Sequence, residues 1–214
     1  MSIHHSLCAA LSALAFCAGV AQAAPVAYNE WSDGDLGDMP GAVLALDAGL
    51  NRISGTTHFA VSDGPVHFDR DFDSFAFSLA AGQRITGITL SFKTTSFNAA
   101  RASADFALCA SAGPCSFGSA GYLGDETADY LAGGAPQVFD FGDVGALGAL
   151  GAGIYAINQR TMGISAISLL LPTESWSADY VWTVSVTELP EPGSLALVAA
   201  ALVAMRRRAG SAGG

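Results

Sequence analysis

Near the C-terminal end of the chain, Tyr180, Trp182, Val184 and Val186 alternate with Val181, Thr183, Ser185 and Thr187. A period of two places the first four side chains on one face of a strand and the second four on the other, which no helix can do. The same rule holds from Asp73 to Leu79, where Phe75, Phe77 and Leu79 share a face. Ala80-Ala81-Gly82-Gln83 then supplies a turn, and the pattern resumes over residues 84–92 with Ile88, Leu90 and Phe92 inward. Further strand candidates are residues 43–46, 51–56, 104–109, 137–141, 154–158 and 164–171. Between them stand loops rich in Gly, Asp and Ser. No periodic segment in this region demands a helix, although residues 144–152 are ambiguous. Short strands with such loops predict an all-β fold, an antiparallel β-sandwich or jelly roll.

The two ends follow a different rule. Residues 7–20 are an almost unbroken run of apolar and small side chains, followed by Ala21-Gln22-Ala23, a small-x-small site of the kind signal peptidase cuts. The segment before the run carries His4 and His5 and no Lys or Arg. Residues 1–23 therefore read as a signal peptide and residues 24–188 as the exported body. At the far end, residues 195–205 are apolar and Arg206, Arg207 and Arg208 follow at once. As a helix this run reaches roughly 17 Å, short of the ~30 Å hydrocarbon core of a bilayer. The arginines predict a cytoplasmic end and an external body.

Directly before the run stands Pro190-Glu191-Pro192-Gly193. Pro-Glu-Pro, a short apolar helix and a terminal arginine cluster, in this order, resemble the PEP-CTERM sorting signal. The resemblance covers residues 189–214. It implies a substrate of a membrane-embedded exosortase, in a Gram-negative bacterium that makes extracellular polysaccharide. Physically, two prolines hold the segment extended and stop the helix from propagating outward. What remains is a strand-like substrate at the membrane surface. The expected partners are the exosortase, the inner membrane transiently, and extracellular polysaccharide. The expected location is the cell surface or the extracellular space, with the tail as a temporary anchor.

The whole chain carries a formal charge of −10, but residues 24–190 carry −12, because the terminal arginines belong to the sorting segment. An acidic body disfavours anionic partners and excludes nucleic acid held by counterion release. It suits divalent cations or neutral glycans. Alanine and glycine together fill 65 positions, so large core-forming side chains are scarcer than a hydrophobic content of 51% suggests.

A second resemblance lies over residues 69–83, Asp-x-Asp-Ser-Phe-Ala-Phe-Ser-Leu-Ala-Ala-Gly-Gln in outline. It is similar to the strand pair of bacterial pre-peptidase C-terminal domains, small β-sandwich modules, and implies that fold without any catalytic group.

Few residues carry candidate chemistry. With Cys8 and Cys17 inside the signal peptide, Cys109 and Cys115 remain. They bracket Ala110-Ser111-Ala112-Gly113-Pro114, a loop with turn chemistry in an exported chain, and are expected to form a disulfide. Two acidic clusters, Asp33, Asp35 and Asp38 and then Asp69, Asp71 and Asp73, raise a calcium hypothesis, the second more than the first. Neither completes an EF-hand: Ser74 follows Asp73, and Ala80 stands where the bidentate Glu belongs. On a strand, Asp69, Asp71 and Asp73 would share one solvated face. No other cofactor is expected.

Gly151-Ala152-Gly153-Ile154-Tyr155-Ala156 matches a dinucleotide fingerprint in letters only, because an extended segment follows where a helix is required. His58 and His67 are the only histidines of the body, and no nucleophile elbow, zinc-protease pair or phosphate loop accompanies them. Trp31, Trp176 and Trp182 are candidates for sugar stacking; Trp182 alternates with core residues and is expected inside, whereas Trp176, in a Ser-rich loop, is the best exposed of the three. The expectation is thus a non-enzymatic exported protein. The alternatives are a calcium-assisted glycan-binding module and a secreted hydrolase.

Overall fold

The computed structural model describes residues 24–41, 43–62, 67–99, 102–115, 118–131, 134–141, 150–162 and 174–189. They form a β-sandwich. The first sheet contains β1 (Ala27–Asn29), β3 (Gly49–Ser62), β11 (Ser175–Glu188), β6 (Gln83–Asn98) and β9 (Gln137–Asp140) in that order, and β4 (His67–Asp71) also pairs with β3. The second runs β2 (Val43–Ala45), β5 (Ser74–Leu79), β10 (Gly153–Met162), β7 (Ser103–Cys109) and β8 (Tyr122–Asp129). A single turn of helix, α1 (Glu30–Asp33), follows β1.

The strongest alternations form the central strands. Tyr180, Trp182, Val184 and Val186 of β11 are all buried. They face Phe75, Phe77, Phe106 and Ile157 of the second sheet across one continuous core. Trp182 lies at its centre, with ring centroids 5.3 Å from Phe106, 5.3 Å from Phe141 and 6.2 Å from Phe75. On β6, Ile88, Leu90 and Phe92 point inward as expected, and so does Ile85. A strict period of two cannot bury both Ile85 and Ile88. The register resolves this, since Val186 faces Ile85 and Ser185 faces Gly87, leaving Thr86 as the extra residue of a bulge.

The second sheet is covered on its other face as well. Ala76, Ala107, Cys109 and Ala156 lie opposite the main core and pack with Cys115. Cys109 and Cys115 form the expected disulfide, with Cα atoms 5.9 Å apart, inside the normal range for such a bridge. Small side chains on three neighbouring strands let the bridged loop lie close to the sheet. Part of the high alanine content therefore serves close packing over this sheet.

Two sequence expectations change. The sandwich is not wholly antiparallel, because β1 pairs with β3 and β2 with β5 in parallel. β1, β4, β8 and α1 were not anticipated. Strand candidate 164–171 and most of the ambiguous segment 144–152 lie outside the described residues, as do residues 1–23, read as a signal peptide, and residues 190–214 of the expected tail. Among the described residues, no helix is long and apolar enough to cross a membrane.

Candidate functional site

β1 and β4 share one edge of β3 and approach each other along it. β1 pairs with Arg52 to Ser54 and ends at Asn29 opposite Ser54. β4 pairs with His58 to Ser62 and ends at Asp71 opposite His58. Gly55, Thr56 and Thr57 lie in the gap between these pairings. From the gap both chains leave the first sheet and cross to the second, where they become the parallel neighbours β2 and β5. The crossovers are bonded to each other: the Phe72 amide donates to Asp38 Oδ1 at 3.2 Å, and the Ser74 amide to the Gly37 carbonyl at 2.9 Å.

Side chains satisfy the exposed edge. The Thr56 amide donates to Glu30 Oε2 at 2.9 Å, and Thr57 Oγ1 donates to the Asp71 carbonyl at 2.6 Å. Glu30 Oε1 accepts from the Leu36 amide at 3.2 Å. The helical turn that presents Glu30 is capped in both directions. Asn29 Oδ1 accepts from the Trp31 amide at 3.0 Å, and Asp33 Oδ2 accepts from the Asn29 amide at 2.8 Å.

Carboxylate oxygens of Glu30, Asp35 and Asp73 converge in this corner, all within 4.8 Å of one another. Asp35 is exposed and Glu30 half-buried, but Asp73 is only 4% exposed. Its backbone is anchored by the Gln159 side chain, whose Oε1 accepts the Asp73 amide at 3.2 Å while Nε2 donates to Thr57 Oγ1 at 2.7 Å. Neither Asp73 carboxylate oxygen has a partner of hydrogen-bonding geometry among the described residues, and the buried Tyr180 hydroxyl beside it is equally unmatched. Burial first, and then the negative charge of Glu30, push the Asp73 carboxyl up to about 10. Glu30 lies close beside Asp73, although no hydrogen bond of normal geometry joins them. Asp71 is also raised, by burial first and then by Asp35, with His58 opposing.

The two acidic clusters of the sequence are thus divided and recombined. Asp73 turns inward past the end of β4, while Asp69 and Asp71 flank His58, at 3.4 Å from Nε2 and 3.6 Å from Nδ1. Asp33 caps α1, and Asp38 receives the Phe72 amide and lies 3.5 Å from Arg70. Only Asp35 of the first cluster and Asp73 of the second meet, with Glu30 as a third member that sequence reasoning missed. Its sole signal was its position just after Asn29, a helix-capping residue.

The aromatic expectations also shift. Trp182 is buried as anticipated, but Trp176 is 1% exposed and stacks on Phe59 with centroids 4.5 Å apart, so it offers no sugar platform. The exposed tryptophan is Trp31, at 88%, on α1 beside Glu30. The glycine-rich match at 151–156 runs directly into β10, so no helix N-terminus is available there for a pyrophosphate. The chain matches no protein-family model, no curated protein and no solved structure.

Proposed function

We propose that this is an exported protein of the cell surface or extracellular matrix, processed by a PEP-CTERM/exosortase-type system, with a structural or adhesive role rather than a catalytic one. The observation that carries the reading is where the sandwich ends. The last strand among the described residues, β11, stops at Glu188, and the Leu189 amide donates to the Gly82 carbonyl at 2.6 Å. Pro190-Glu191-Pro192 follows immediately. Cleavage in that triplet would remove the apolar run and arginines without taking a strand from either sheet.

Two further features support it. The Cys109–Cys115 bridge suits an oxidising compartment. Trp31 offers a solvent-facing indole of the kind that stacks on sugar rings, which favours association with extracellular polysaccharide. The exosortase would supply the catalytic groups, and this chain would be its substrate. Mass spectrometry of the protein recovered outside the cell tests the proposal. The expected product begins near Ala24 and ends around residues 190–192; a product still carrying Arg206, Arg207 and Arg208 would refute the processing.

A further inference from the structure

We propose that Glu30, Asp35 and Asp73 form a calcium site that joins the two crossovers between the sheets. Oxygen ligands on one calcium ion stand about 2.4 Å from it, hence at most about 4.8 Å from each other. The three carboxylates satisfy that limit before any adjustment. They come from α1, from the loop after it and from the β4–β5 crossover, so one ion would bridge chain segments held elsewhere by few backbone bonds.

A cluster of acids on a protein surface usually means nothing more than solvation. Asp73 is the independent reason to think otherwise. It is 4% exposed, aimed into the cluster, and neither of its oxygens makes a hydrogen bond of normal geometry to a described residue. Burying an ionised carboxylate with no counter-charge is strongly unfavourable. Among the described residues no ion pair reaches it: Arg70 faces Asp38, and His58 lies between Asp69 and Asp71. The groups around Asp73 are instead other acids and the Tyr180 hydroxyl.

A divalent cation resolves both the missing partner and the accumulated negative charge. The ligand atoms are all oxygens, with no imidazole or thiolate among them, which selects a hard cation over zinc. Calcium tolerates irregular geometry from dispersed ligands better than magnesium, which demands near-ideal octahedra. Glu30 is already oriented by the Leu36 and Thr56 amides, as metal-binding carboxylates commonly are. The exposure of Asp35 leaves room for water to complete the coordination.

The test is calorimetry and thermal melting of the full-length protein after stripping with EDTA. One calcium per chain is expected, and at about 100-fold above Kd the melting temperature should rise by about 5–10 °C. Asp35→Asn, at an exposed position, should fold normally and weaken calcium binding at least tenfold. Asp73→Asn should abolish the calcium response yet melt in EDTA no lower than the parent, because without an ion the buried carboxyl is already held uncharged and the amide has the same shape. Asp69→Asn, outside the cluster, should respond like the parent. The proposal is overturned if the parent shows no calcium heat and identical melting in calcium and EDTA. It is equally overturned if Asp35→Asn keeps full affinity, or if magnesium reproduces the shift at the same concentration. Should Asp73→Asn fail to fold, Asp35→Asn decides the matter alone.

Discussion

A methyl group added at Gly55 would fall on Glu30 Oε2 and on the Tyr180 hydroxyl. Neither can retreat freely, since Glu30 is bonded to two backbone amides and Tyr180 faces Gly55 directly across the β3–β11 ladder. Gly55→Ala is therefore expected to cost about 1–3 kcal/mol, as overpacking of a filled site does. A lower urea midpoint with unchanged slope would show it. Buried phenols make a second residue-level prediction. Burial raises the Tyr130 and Tyr155 hydroxyls above their ordinary value. For a group raised in the folded state, the protonated form belongs to the native protein. The stability it contributes is complete below about pH 10, the unfolded value, and declines as pH climbs from there through the folded values. Phenolate absorbance and circular dichroism, followed together, should show these two ionising only as the sandwich opens, above pH 10.

The disulfide loop is the element whose removal should be easiest to read. The cysteines are six residues apart, and a loop that short constrains the unfolded chain by only about 2 kcal/mol. Reduction, or replacement of both cysteines by alanine, is expected to lower stability by about that amount in urea titrations run with and without reductant. What could be seen in the sequence at this scale depended on burial contrast. β5, β6 and β11 place large apolar groups on one face and were legible in outline. β8, at the edge of its sheet, buries only Ala128 of its eight residues, and β1 spans three residues whose pairing with β3 is set by distant register. Bulges were equally hidden, because the inward placement of both Ile85 and Ile88 depends on β11. The acidic corner was half legible: alternating aspartates marked Asp73, but Glu30 joins it only after two separate crossovers lie side by side.

At the scale of the molecule, the strand order joins segments from both ends of the described sandwich. β11 lies between β3 and β6 and supplies Tyr180, Trp182, Val184 and Val186 to the shared core. Without it, the first sheet falls into two fragments, β3 with its edge strands and β6 with β9. β11 is also the last strand in chain order among the described residues. A ribosome makes any polypeptide from its N-terminus, so this one lacks its keystone until residue 188 has been added. Closing the sandwich then requires contacts between residues far apart in sequence, which form slowly. The first sheet therefore stays open until β11 is available, and its completion is timed by one late segment of the chain.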